Sequence, residues 1–250
     1  DDNDGHDSVF ERELVDADIV ISQSFWPGYL TPERIAKAKS LKLAITAGIG
    51  SDHVDLKTAI EHNIPVAEVT YSNSLSVAEH TVMQVLALVR DFITQHDIAR
   101  SGGWNIADAV QRSYELEGMD VGVFAAGRIG QAVIKRLAPF DVNLHYTDRH
   151  RLPAEFEAQY NLTFHADIQS LVQHIDVLTV HAPLTDETHG LLNDELLATT
   201  RRGSYFVNPA RGSIADRDAI VRSLESGQLA GYAGDVWFPQ PAPEDHPWRT

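Results

Sequence analysis

Val121-Gly122-Val123-Phe124-Ala125-Ala126-Gly127-Arg128-Ile129-Gly130 decides the fold of this chain. Its first four residues read as a strand buried on both faces, and the amphipathic run from Arg128 to Leu137 reads as a helix. Between them lies a glycine turn of the kind that holds a dinucleotide, with Ala125 standing at the first glycine position. Gly127 lets backbone approach a pyrophosphate, Gly130 lets the helix pack on its strand, and the first amides of the helix offer partial positive charge. Such a turn is weak on its own. Its context adds weight, because the next strand signal, Val142 to Thr147, ends at Asp148, eighteen residues after Gly130. A carboxylate there accepts both ribose hydroxyls of an adenosine and repels a 2′-phosphate, so it favours NAD over NADP, with Arg149 able to moderate that preference.

Working outward, further strands are expected at Val177–Val180, Ser204–Val207 and Leu229–Tyr232, with a helix from Arg217 to Leu224 ended at Ser226-Gly227. Upstream, a second series alternates strands at 18–22, 42–46 and 66–69 with helices opening at Thr31-Pro32 and Asp55. Two βα series imply an α/β protein of two doubly wound parallel-sheet domains, Rossmann-like or flavodoxin-like, the first incomplete. The boundary is expected at residue 74, giving 1–74 and 75–250. Ser76-Val77-Ala78-Glu79 reads as a capping box opening a long helix through Val82, Val85, Leu88, Val89, Phe92 and Ile93. Its wide apolar surface suits either a crossover and dimerisation helix or a plain core helix.

Composition narrows the function. The chain has 250 residues, 43% hydrophobic and 22% charged, as a globular protein should. Twenty Lys and Arg against thirty-six Asp and Glu give −16, which argues against a nucleic-acid surface or an anionic membrane partner. There is no cysteine, hence no disulfide or thiolate nucleophile. None of the twelve histidines shows metal-ligand spacing, so no metal is expected. No Gly-x-Ser-x-Gly elbow is present, which argues against a serine hydrolase. No signal peptide or membrane span is legible, and a cytoplasmic setting is expected. Beginning at Asp1 without Met and stopping in mid-loop at Thr250, the sequence reads as part of a longer protein.

Two segments carry the remaining chemistry. Asn208-Pro209-Ala210-Arg211-Gly212 follows a strand end, where ligands of open α/β sheets bind, and Arg211 offers a two-pronged grip on a carboxylate. Asp235-Val236-Trp237-Phe238-Pro239-Gln240-Pro241-Ala242-Pro243 follows the last strand and presents one amide, Gln240, on a proline-stiffened loop. In the first series, the loop Ala47 to His53 and the segment Tyr71 to Ser74 follow strands and suit a small anion, although ordinary turn chemistry explains the same residues.

Together these stretches resemble the NAD-dependent formate dehydrogenases, within the D-2-hydroxyacid dehydrogenase family. The resemblance covers essentially the whole chain. It is most specific at Ser24-Phe25-Trp26-Pro27, Thr46 to His53, Ala125 to Gly130, Tyr146 to Arg151, Asp235 to Pro243 and Asp245-His246-Pro247-Trp248-Arg249. It implies a coenzyme domain inserted into a catalytic one, with dimerisation through the coenzyme domain. Position by position, it implies that Arg211 and Asn73 bind the formate carboxylate with the Ile49 amide, while Phe25 and Pro27 wall the pocket. Ser74, Gly127, Arg128, Ile129, Gly130, Asp148, Pro183, Thr188, Pro209 and Asp235 would line the NAD site, Asp235 near the nicotinamide amide. Pro209 stands where the family motif has Thr, and His181-Ala182-Pro183 where it has Asn-Cys-Pro. The family's catalytic histidine lies in a segment downstream of Trp248-Arg249. It is absent from these residues, Gln240 would orient it, and His246 is not its equivalent. As written, the chain is expected not to turn over formate. Rival readings are a D-2-hydroxyacid or glyoxylate dehydrogenase and an NAD(H)-sensing interaction protein on the same fold.

Overall fold

The computed structural model describes residues 8–23, 28–69 and 71–249, and the chain divides into two compact units, residues 1–73 and 74–250. In the first, β1 (Ile19–Ser22), β2 (Leu43–Thr46) and β3 (Val66–Glu68) form a parallel sheet in that order. Helices α1 (Val9–Leu14), α2 (Pro32–Lys37) and α3 (Leu56–Glu61) begin at Ser8, Thr31 and Asp55, each of whose side chains accepts a first-turn amide. A core of Leu14, Val20, Leu30, Ile35, Ala44, Val54 and Ala59 holds these elements together.

The second unit is built on a parallel sheet ordered β6-β5-β4-β7-β8-β9. Its strands are β4 (Asp120–Phe124), β5 (Asn143–Thr147), β6 (Thr163–Phe164), β7 (Val177–Val180), β8 (Ser204–Val207) and β9 (Leu229–Ala233). The order reverses between β4 and β7, the doubly wound arrangement in which ligands sit beyond the carboxyl ends of the strands. Every residue of β7 and β8 is buried. Their largely apolar runs, broken at Thr179 and Ser204, follow from having both faces covered. On one face, Val121, Val123, Val177, Tyr205 and Val207 pack with residues of α4 (Ser74–Val89) and α7 (Arg128–Leu137). On the other, Leu178, Val180 and Phe206 pack with Leu171, Leu197 and Ile220.

The long helix expected through Ile93 is interrupted. Asp91 adopts φ 50°, and a separate helix α5 (Phe92–Arg100) follows, then α6 (Ile106–Arg112). The Asp91 carboxylate accepts from Gln95 at 3.1 Å and from Arg112 at 3.0 Å, which holds the corner. Phe92 and Ile93 are consequently exposed instead of buried. The expected start of α4 also moves, from Ser76 to Ser74, so the units part between Asn73 and Ser74. The remaining helices are α8 (Ala154–Tyr160), α9 (Ile168–Val172), α10 (Asp194–Leu197) and α11 (Arg217–Glu225). No helix among the described residues is long and apolar enough to cross a membrane.

Candidate dinucleotide and anion site

Strand register brings the predicted residues of the second unit to one edge. Phe124 is level with Thr147 of β5 and Val180 of β7, Thr179 with Val207 of β8, and Val207 with Ala233 of β9. The next residues in each chain segment, Ala125, Asp148, His181, Asn208 and Gly234, therefore form a row along the carboxyl edge.

At the centre, Gly127 caps α7 and leaves its first-turn amides pointing outward. Gly130 cannot be larger: a Cβ there would overlap the Ala125 carbonyl and lie 3.0 Å from Val123 Cγ1. Ile129 is half-buried against the core, while Gly127 and Arg128 are exposed at the helix mouth. Ala125, at the first glycine position, adopts φ 69°, a left-handed conformation that costs a residue with a Cβ about 1–2 kcal/mol.

Asp148 sits half-buried beyond β5, its Oδ1 accepting the His150 amide at 2.9 Å. The loop behind it is fastened by a network that sequence reading did not find. Tyr146 donates from its hydroxyl to Glu157, Leu152 N–H donates to Tyr146 at 3.0 Å, and Arg151 grips both Glu157 oxygens at 2.8 and 3.0 Å. Burial and then the Glu157 hydrogen bond push the Tyr146 hydroxyl up to about 12, so it stays a donor. Arg151 and Tyr146 hold Glu157 below the usual carboxylate range.

Beyond β8, Asn208 is fully buried and does the positioning. Its Oδ1 accepts the Ala210 amide at 3.1 Å across Pro209, and its Nδ2 donates to the Arg211 carbonyl at 2.9 Å and to Tyr232 Oη at 3.1 Å. Proline suits that tight turn, because its φ is already set. Arg211 follows half-buried, donating to the Ala210 carbonyl at 2.8 Å. Gly212 then passes so close to Trp237 that a Cβ would overlap its backbone, which ties the Arg211 loop to the loop after β9.

That second loop is held by a clasp. His246 is almost fully buried, with Nε2 3.0 Å from the Phe238 carbonyl and Nδ1 accepting Trp248 N–H at 3.2 Å, which makes it the neutral Nε2–H tautomer. Trp237 and Trp248 pack edge-on against its ring, and Arg249 donates to the Ala242 and Pro243 carbonyls at 3.0 and 2.9 Å. His246 is thus a packing element. The loop presents Gln240 half-buried, with no hydrogen-bond partner for its amide among the described residues. Asp235 is exposed at the loop's start, 3.6 Å from Nε2 of His80 on α4. Ser74, at the first position of α4, is buried with an unpartnered Oγ. Thr188 closes its own loop, donating to the Pro183 carbonyl at 2.7 Å and accepting the Thr185 amide at 2.8 Å.

In the first unit, Ile49 lies in the loop after β2, and Asn73 is exposed five residues after β3. Phe25 and Pro27 lie outside the described residues. Among the described residues no group of His, Cys, Asp and Glu could hold a metal ion.

Known proteins match this arrangement. Residues 82–250 match the model of the D-isomer specific 2-hydroxyacid dehydrogenase, NAD binding domain. The chain belongs to the D-2-hydroxyacid dehydrogenase family. A formate dehydrogenase of Pseudomonas sp. (strain 101) is 67% identical over 249 residues, covering 100% of this chain and 62% of that protein. The solved Granulicella formate dehydrogenase superposes with a TM-score of 0.97 at 64% identity, over 100% of this chain and 66% of that one. An NAD-dependent formate dehydrogenase from Staphylococcus aureus, in complex with NAD, superposes with a TM-score of 0.86 at 49% identity, over 95% and 70%. The chain therefore spans 62% of the length of its Pseudomonas relative. NAD is the cofactor of this domain. The site fits it: a cradle that admits no Cβ at Gly130, an outward helix terminus, an acid just beyond β5, and the orphaned Ser74 hydroxyl.

Proposed function

We propose that the full-length protein oxidises formate to carbon dioxide, with NAD as hydride acceptor. The carrying observation is the pair of loops fastened together at Gly212 and Trp237, one bearing Arg211 and the other bearing Gln240. NAD, when bound, supplies the acceptor for the hydride that formate loses as it becomes carbon dioxide. Gly127, Arg128, Ile129 and Gly130 would hold its diphosphate, Asp148 its adenosine ribose, and Ser74, Pro183, Thr188, Pro209 and Asp235 its remaining edge. Arg211 would anchor the formate carboxylate through charge-assisted hydrogen bonds. Asn73 and the Ile49 amide are assigned the same anion by the resemblance alone.

Formate loses no hydroxyl proton, so this chemistry needs an aligned, desolvated anion and no general base. A 2-hydroxy acid does lose one, and its enzyme pairs a histidine with a carboxylate to tune it. The neutral Gln240 amide suits the first reaction and not the second. The reading is tested by incubating the full-length protein with formate and NAD: NADH should form, and turnover of glyoxylate with NADH in place of that would overturn it.

A homodimer through the NAD-binding domain is part of the proposal. Its support is the apolar surface around the Asp91 corner, where Phe92, Ile93, Trp104, Ile106 and Val110 are all exposed. A second copy of this chain would cover it. A cytoplasmic setting, free of nucleic-acid and membrane partners, accords with the −16 charge.

A further inference from the structure

Helix α4 packs on β9, and a glycine sets how closely. A Cβ on Gly231 would stand 2.9 Å from Leu88 Cδ2 and 3.3 Å from the Tyr205 ring, so the helix rests almost on the strand there. From Leu88 back to His80 the helix rises about 12 Å. From Gly231 on to Asp235 an extended chain runs about 13 Å. The two displacements match, so His80 arrives beside the acid that follows the strand. Gly234 holds the chain in place at that point, since a Cβ there would lie 2.6 Å from the Asn208 carbonyl oxygen. His80 Nε2 is shielded from solvent and makes no hydrogen bond among the described residues. It sits 3.6 Å from Asp235 Oδ2, just beyond hydrogen-bond length. A shielded ring nitrogen without a partner is costly, and a small swing of the exposed Asp235 side chain supplies one.

We propose that His80 is a positioning residue for the nicotinamide end of NAD, acting through Asp235 and touching no ligand itself. Nε2–H donates to Oδ2, which pins the carboxylate and leaves Oδ1 to accept an N–H of the nicotinamide carboxamide. This rests on the assignment of Asp235 to that amide under the proposed function. The chemistry is a division between two oxygens. A carboxylate carries lone pairs on both, and an exposed one turns freely about its side-chain bonds. Holding one oxygen from α4 orders the other before NAD arrives, so the cofactor does not have to impose that order itself.

Calorimetry of NAD binding to the full-length protein tests the link. His80→Leu, which keeps bulk and loses the donor, should weaken NAD about fivefold. His80→Gln, whose side-chain N–H reaches the same place, should recover most of that loss; equal losses would overturn the donor role. The decisive ligand is 3-acetylpyridine adenine dinucleotide, in which a methyl group replaces the carboxamide NH2. Against it, His80→Leu should cost less than about twofold, because Asp235 has no N–H to receive. The full penalty with that analogue is what a packing role would give, and it would overturn the proposal. In an Asp235→Ala background, His80→Leu should add less than about twofold, since the group through which it acts is gone; an additive loss would overturn it as well. Asp235→Ala that leaves NAD binding unchanged would defeat the assignment of Asp235 and this role with it. A loss in Asp235→Ala with none in His80→Leu overturns the role of His80 alone.

Discussion

The two sides of the carboxyl edge are built differently. On the β5 side, Tyr146, Arg151, Glu157 and Leu152 satisfy one another, and Asp148 is presented by a loop whose polar groups are already spent. On the β7–β9 side, the backbone is fastened as tightly, by Asn208 and by the His246 clasp, yet not every side chain that projects from it is paired. Nε2 of His181 is buried and has no hydrogen-bond partner among the described residues. Buried polar groups are ordinarily satisfied, so rigid scaffolding around unsatisfied tips marks where binding and chemistry occur. On the proposed function, the first side is a preformed clamp for an adenosine and the second is completed by what it binds.

Substitutions can break that contrast. The largest expected effect is at the anion anchor. Arg211→Gln in full-length enzyme should lower formate kcat/KM by at least about a hundredfold, because a charge-assisted pair in a dry site is lost. NAD affinity should stay within about threefold, on the order of 0.6 kcal/mol. A proportional loss of NAD binding would show that Arg211 serves the cofactor instead.

Next comes the cradle. Gly130→Ala forces a methyl into the Ala125 carbonyl and should cost about 1–3 kcal/mol of stability, read as a lower Tm together with weaker NAD binding. On the clamp side, Asp148→Asn should weaken NAD by about tenfold and narrow the gap to NADP, since an acceptor-only carboxylate becomes half donor. Unchanged preference would remove Asp148 from the site.

Acid separates the two sides as well. A histidine whose folded value is depressed below its unfolded value favours unfolding as pH falls, because the unfolded chain takes up the proton first. His181 should therefore erode stability between about pH 6.5 and about 3, and His181→Leu should flatten the Tm profile in that window relative to wild type. His165, also lowered by burial, keeps its own share in both proteins. The smallest effect is at Ala125→Gly. It relieves a left-handed residue but frees the unfolded chain, for a net change of ~1 kcal/mol or less, measured by denaturant unfolding.

The sequence made much of this legible. β7 and β8 read directly because strands covered on both faces are largely apolar runs, and α7 because its glycines bracket an amphipathic stretch. Thr163–Phe164 was not legible, since two residues carry no period. Nor was the corner at Asp91, where neither glycine nor proline announces the left-handed turn and the stabilising Arg112 lies twenty-one residues on. Of the candidate site, the residues proposed to meet ligands were readable from their place after strands. The residues that aim them were not: the hydrogen bonds of Tyr146 with Glu157, of His246 with Phe238 and of Asn208 with Tyr232 join positions eleven, eight and twenty-four residues apart, which no local pattern encodes.

The central claim is that the edge bearing Arg211 and Gln240 serves hydride transfer from formate without proton transfer. Full-length enzyme given NAD and formate carrying deuterium on carbon, in ordinary water, tests it directly. The account predicts reduced nicotinamide with one deuterium at C4, and release of carbon dioxide in equal amount. Reduced cofactor carrying solvent hydrogen, or no reduction by formate where glyoxylate is turned over with NADH, would contradict it.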